Sequence, residues 1–329
     1  MKAAIITKPG QIPVYADFNE PTEQLGEEVI TVSASALSHL TKARASGAHY
    51  SSDQAFPPAV VGVDGAGRTQ DGKRVYFAMP SPPFGALAEK TRVRPQHCVP
   101  IPEGVDDFTA AAIANPGMSS WAALAERAHL KAGEVVLVNG ATGIAGRLAV
   151  QIAKHMGARK VIATGRDEKA LQEVKAIGAD VIIPFKIGPQ NPEGVDQYEE
   201  TLKGQFAGGV DVVLDYLWGK SAETVIFAAA KAGEEGVPIR FIHVGGASRE
   251  DVQLPGAALR SSAIVLMGSG INSIPFSGFL SAVNNVFQAV IPAHLLISTK
   301  TVPLSEVEKT WNADSDKCRI VFALNSDRQ

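Results

Sequence analysis

The run Gly140-Ala141-Thr142-Gly143-Ile144-Ala145-Gly146 has a glycine at every third position, between an apolar stretch at 135–138 and a segment of helical period. A strand, a glycine turn and a helix in that order can bring backbone amides up to a pyrophosphate. Glycine permits the close approach, and the unpaired N–H groups of a helix start favour negative charge. Helix and turn also need a missing side chain where they meet, and Gly146 stands at that place. The next apolar stretch ends at Thr164-Gly165-Arg166. An Asp or Glu here would hold the ribose 2′-hydroxyl of NADH, but Gly165 has no side chain. The Arg166 guanidinium instead matches a 2′-phosphate, which favours NADPH; the other reading is a solvated surface arginine. Asp167, the nearest acid, reads as the N-cap of the following helix.

These residues need elements to carry them. From Glu134 onward, strands and helices alternate: strands at 135–138, 160–164, 181–183, 210–214 and 240–244, and helices at 144–156, 168–177 and 221–232. Short apolar strands interleaved with helices imply a doubly wound parallel sheet covered on both faces. Tyr216, Val244 and Gly245 then fall at carboxyl ends of strands, where such sheets bind ligands. A further strand is expected at 264–267, so Gly268-Ser269 forms a turn at the same edge, and a helix is expected at 279–290. The stretch 187–194 reads as loop.

The first 115 residues or so look different. Strands are expected at 2–7, 28–34, 73–78 and 85–93, with one helical piece at 38–45. Short strands between turn residues suggest a partly open β-barrel or a sandwich. Asn115-Pro116-Gly117 reads as a turn before a helix at 119–128. Near the end, Ser305-Glu306-Val307-Glu308 has capping-box spacing. A last strand at 319–324 is of the N-terminal type, which suggests that the chain returns to its first domain.

Composition narrows the function classes. The 329 residues are 45% hydrophobic, with 31 Lys and Arg against 34 Asp and Glu. That balance gives no electrostatic reason to expect a nucleic-acid partner. No apolar run approaches the roughly 20 residues of a membrane span, and the N-terminus has no signal-peptide pattern. Cys98 and Cys318 are the only cysteines. Neither a disulfide framework nor a four-cysteine zinc site can be built from them, and the cytoplasm is the expected compartment.

Six segments together resemble the medium-chain dehydrogenase/reductase superfamily in its zinc-independent NADPH:quinone oxidoreductase branch. They are Gly62-Val63-Asp64-Gly65-Ala66-Gly67, Gly72-Lys73-Arg74-Val75, Phe84-Gly85-Ala86-Leu87-Ala88-Glu89, Asn115-Pro116-Gly117-Met118-Ser119-Ser120-Trp121, Leu137-Val138-Asn139-Gly140-Ala141-Thr142-Gly143 and Pro303-Leu304-Ser305-Glu306-Val307. The resemblance implies a GroES-like catalytic domain at 1–117, completed by 274–329, and an NADP-binding Rossmann domain at 118–273. It also implies a homodimer paired through the strand at 264–267. The segments matching the family's zinc ligands read Ala36-Leu37-Ser38-His39, Val63-Asp64 and Asn115-Pro116, with no thiolate and with Val63 in place of a histidine.

Without a Lewis acid, hydride addition to an electron-poor acceptor is the chemistry that remains open. Quinones fit it, and so do the C=C bonds of alkenals, enones or enoyl thioesters; an NADPH-binding sensor without turnover is the reading from another class. On the substrate side the resemblance points to Tyr50 as a donor to the developing oxyanion and to Ser38 and Lys42 near the nicotinamide. Asn115 is placed to orient the ring amide. Phe185 matches a position where related enzymes carry a tyrosine near the adenosine phosphate.

Overall fold

The computed structural model describes residues 1–49, 52, 58–188, 190–191, 193–313 and 317–324. The chain divides into two compact units, Met1–Met118 with Val283–Gln329, and Ser119–Ala282.

The first unit begins with β1 (Lys2–Ile6), β2 (Val14–Asp17) and β3 (Glu28–Ala36). Helix α1 (His39–Ala45) follows, then β4 (Ala59–Val60), β5 (Asp64–Arg68), β6 (Arg74–Ala78), β7 (Lys90–Val93) and β8 (Cys98–Pro100). Helix α2 (Asp107–Ala122) leads towards the second unit. One sheet runs β2-β1-β4. Strand β3 is the spine of the larger sheet because Ile30, Val32 and Ala34 alternate inward, as a half-buried strand requires. Ile30 and Val32 pack with Phe77, Leu87 and Phe322 in one core.

The second unit is a βα series. It comprises β9 (Val135–Asn139), α3 (Ile144–His155), β10 (Lys160–Gly165), α4 (Glu168–Ala176), β11 (Val181–Pro184) and α5 (Gly194–Ala207). It continues with β12 (Val212–Asp215), α6 (Gly219–Ala232), β13 (Ile239–His243), α7 (Gly256–Arg260) and β14 (Ile264–Gly268). The sheet order is β11-β10-β9-β12-β13-β14, and every pairing is parallel. Numbered within the unit, this is the 3-2-1-4-5-6 order of a dinucleotide fold. Its direction reverses between β9 and β12, and that reversal marks the ligand-binding edge.

Helix α8 (Phe276–Val290) then leads to β15 (Thr299–Pro303), α9 (Val307–Thr310) and β16 (Arg319–Ala323). Strand β16 pairs antiparallel with β3, Val321 facing Ala36, so the larger first-unit sheet runs β15-β16-β3-β5-β6-β8 with β7 also on β3. The α/β architecture is thus a GroES-like mixed sheet and a Rossmann-like parallel sheet. No described helix is long and apolar enough to cross a membrane.

Several local expectations need correction. Asn115-Pro116-Gly117 is not a turn, because α2 runs straight through it and ends in a π-helical turn at Ala123–Arg127. Pro116 removes only one intrahelical donor. The residues from Ala110 to Ala114 are fully buried, and a Cβ at Gly117 would lie 2.8 Å from Val286, so packing keeps the segment helical. The strand expected at 85–93 shortens to β7. The capping box does not form: Ser305 lies inside a 3-10 turn, Leu304–Glu306, and α9 has no side-chain cap. Helix α5 was missed, although Tyr198, Leu202 and Phe206 form a buried stripe at four-residue spacing.

Candidate functional site

In the second unit the candidate site is the carboxyl edge of the sheet. Gly143 is the N-cap of α3 and offers no side chain, so no cap satisfies the N–H groups of Ile144, Ala145 and Gly146. A Cβ on Gly146 would lie 2.3 Å from the Gly140 carbonyl oxygen, and only glycine lets the helix start so close to the turn. Gly140 and Ala141 donate to the Thr164 carbonyl at 3.2 and 2.9 Å, which ties the turn to the end of β10. Arg147 braces it by donating to the Thr142 carbonyl at 3.1 Å. Uncapped donors on a pinned turn suit a diphosphate.

Gly165 lies under the same turn, where a Cβ would approach Thr142 Cγ2 to 2.8 Å. A side chain in that place would have to displace Thr142. Arg166, one residue on, is exposed, and Asp167 caps α4 by accepting from the Ala170 N–H at 3.0 Å.

Along the same edge, Val244 and Gly245 follow β13 and donate to the Asp215 carbonyl at 2.8 and 3.2 Å. Gly268 ends β14, and the Ser269 N–H donates to the His243 carbonyl at 2.8 Å. The Tyr216 hydroxyl donates to Ser120 Oγ at 2.8 Å, which in turn donates to the Ala145 carbonyl at 3.1 Å, so Tyr216 holds the first turn of α3. Burial raises the Tyr216 phenol well above its ordinary range. Phe185 differs from these. Its ring is buried in the core, 4.6 Å from Tyr198, while its N–H donates to the Gly165 carbonyl.

Sequence reading missed a polar row beneath this edge. Thr164, Asn139, Asp215 and His243 occupy matching register positions on four neighbouring strands. Thr164 donates to Asn139 Oδ1 at 2.8 Å, and Asn139 donates to Asp215 Oδ1 at 2.8 Å. His243 Nδ1 lies 3.3 Å from Asp215 Oδ2. Asp215 also accepts from the Leu217 and Trp218 N–H groups, which holds Trp218 at a φ of 61°. The available signal was one polar residue ending each of four apolar strands.

In the first unit, Ser38 caps α1. Its Oγ accepts from the Thr41 N–H at 2.8 Å and donates to Thr41 Oγ1 at 2.9 Å. Lys42 is half-buried on α1, and Asn115 is half-buried within α2. Tyr50 lies outside the described residues. Burial pushes the Cys98 thiol up to about 12, too high for a nucleophile. Asp64, buried, accepts from the Tyr76 hydroxyl at 3.0 Å. Among the described residues no group of three or more His, Cys, Asp or Glu is placed to hold a metal ion.

A family profile described as zinc-binding dehydrogenase matches residues 145–285. The probable NADPH-dependent quinone reductase of Emericella nidulans is 26% identical over 96% of this chain and 98% of its own length. The quinone oxidoreductase of Thermus thermophilus superposes with a TM-score of 0.78 at 25% identity, covering 98% of this chain and all of that one. In these comparisons the chain is similar to the medium-chain dehydrogenase/reductase superfamily. The full-length likeness is to quinone reductases, the zinc-independent branch of that superfamily. The profile that names zinc matches residues of the nucleotide half and α8, whereas the segments compared with zinc ligands lie before residue 145. A trans-enoyl reductase of Aspergillus terreus is a shorter match, 30% identical over 39% of this chain and 40% of its own length.

Proposed function

We propose that this protein uses NADPH to reduce the C=C bond of small α,β-unsaturated aldehydes and ketones. The observation that carries the reading is the carboxyl edge of the parallel sheet. There, the uncapped start of α3 meets a pinned glycine turn, and the exposed Arg166 follows Gly165, which carries no acid. NADPH, when bound, supplies the hydride. The amides of Ile144, Ala145 and Gly146 would hold its diphosphate, and Arg166 its 2′-phosphate. The complex with NADPH described for the Thermus relative supports the cofactor.

The acceptor follows from the donor set. With no metal-ligand group among the described residues, reduction depends on an acceptor that is already electron-poor. Hydride addition to the β-carbon of an enone leaves an enolate, which a hydrogen-bond donor stabilises and a proton from solvent or a side chain completes. On this reading Tyr50 and Lys42 are the donors to test, Asn115 orients the ring amide, and Ser38 shapes the start of α1. The trans-enoyl reductase relative supports C=C reduction. Quinones are the second reading, favoured by the Emericella relative.

The test follows NADPH consumption with 3-penten-2-one and with benzoquinone, and identifies the products. Saturated ketone formed one-for-one with NADPH loss is expected. Hydroquinone without saturated ketone would transfer the assignment to quinones. No consumption with either acceptor would overturn both readings.

A further inference from the structure

We propose that the first unit contains a preformed, half-open and mainly apolar cavity that selects enones with a ring-sized apolar substituent. Its link to turnover rests on the reading above, whereas its link to binding rests on the cavity alone. The cavity measures about 190 Å³, and its walls include Ile6, Ala45, Val60, Val61, Met79 and Phe84. A dry aliphatic cavity of about 150 Å³ is enough to bind benzene. This cavity therefore accommodates a six-membered ring with one or two further carbons.

The walls are held in place. Met79 sits at a φ of 53°, a left-handed conformation that a non-glycine residue keeps only where its surroundings enforce it. Its N–H donates to the Val63 carbonyl at 2.7 Å, and the Val60 N–H donates to the Pro83 carbonyl at 3.0 Å. These two bonds fasten residues 79–83 to the chain on either side of Gly62. Phe84 lies 5.1 Å below the Arg92 guanidinium, which is itself paired with Glu27, and Phe18 meets its edge at 6.1 Å. A Cβ on Gly85 would come within 2.3 Å of the Val60 carbonyl oxygen, so Gly85 packs directly against the backbone of Val60 and Val61. Interiors normally fill at close packing, and an apolar space kept open by fixed walls is the character of a ligand pocket.

One polar group gives the cavity a direction. Thr41 is buried in the lining, and its Oγ1 accepts the Ser38 hydroxyl proton at 2.9 Å. That bond leaves the Thr41 proton free to donate to an oxygen of the ligand. Arg44 is the one charged side chain among the described lining residues, and it has an interaction partner of its own. A neutral ligand with a hydrocarbon body and a carbonyl oxygen is the chemistry that fits.

The test compares benzylideneacetone with 3-penten-2-one, which carries methyl in place of phenyl on the β-carbon. Binding to the intact protein is measured by calorimetry without cofactor, and kcat/KM with NADPH. Each buried methylene improves affinity by about fourfold, so the ring is expected to bind at least about tenfold more tightly and to raise kcat/KM in parallel. Ala59→Phe, on the edge strand β4 and in the lining, is expected to abolish the preference for the ring; Ala59→Leu is the milder variant if the first fails to fold. Equal affinities in the wild-type protein would overturn the proposal, as would a folded Ala59 variant that keeps the preference. Ring-selective binding without NADPH oxidation would leave the cavity standing and remove the enone reading. NADPH oxidation with both enones but no selectivity would do the reverse.

Discussion

Arg166 and Gly165 act as a pair, because a cation serves a 2′-phosphate only where no neighbouring carboxylate competes for it. Arg166→Ala is expected to lower NADPH affinity by at least about tenfold while leaving NADH affinity nearly unchanged, measured by fluorescence titration with both cofactors. Equal losses for the two would remove the 2′-phosphate assignment. Asp64 poses a different single-residue problem. Burial pushes its carboxyl up to about 6, against the opposing pull of the Arg319 charge and the Tyr76 hydroxyl. Asp64 Oδ1 and Arg319 Nε and Nη2 have no hydrogen-bond partner among the described residues. A carboxyl with a raised folded-state value contributes most below its unfolded value of 3.8, and that contribution is lost as pH rises through about 6. Thermal melts should therefore show a stability loss across this window. Asp64→Asn should flatten that slope, because the group that titrates across the window is gone. An unchanged slope in the variant would show that other groups control it.

At the scale of elements, the polar row across β10, β9, β12 and β13 holds together the loops that form the candidate cofactor edge. The Asp215 carboxylate accepts from Asn139 and from the Leu217 and Trp218 N–H groups. Leu217 in turn closes on Gly140, the first residue of the glycine turn. Trp218 stacks 4.3 Å from His243, and its left-handed backbone is strain of the kind that a fixed anion can hold. Asp215→Ala is expected to cost about 2–4 kcal/mol in denaturant unfolding, since it strands several buried donors. It should also raise the KM for NADPH more than it lowers kcat. A variant with both quantities intact would mean that the row is incidental to the edge. Helix α2 teaches a related lesson: Pro116 is a turn signal by local rules, yet buried alanines and the contact of Gly117 with Val286 keep the segment helical.

For the whole molecule, the open question is assembly. Strand β14 has a sheet neighbour on one side only among the described residues, and Val265 on it is 43% exposed. An apolar strand edge left unpaired invites a second copy of the chain. The protein is expected to be a dimer by light scattering, and Val265→Lys is expected to yield a monomer that still binds NADPH. A monomeric wild-type protein would sink this expectation.

Sequence alone determined the parts whose physics is local. Alternating apolar strands and helices dictated the parallel sheet, glycine at 140, 143 and 146 dictated the turn, and Asp167 dictated a cap. The missing acid at Gly165 was legible because an absent side chain needs no context. Tertiary structure decided whatever depends on residues far apart in the chain. Strand order placed Asn139, Asp215 and His243 in one row, although they are separated by whole βα units. Packing decided that Phe185 is a core residue and that α2 continues through Pro116. It also brought Asp64 into the field of Arg319 and left a cavity beside α1. Contacts of this kind arise only when the backbone has closed, because register and burial are properties of neighbours that the local sequence does not name.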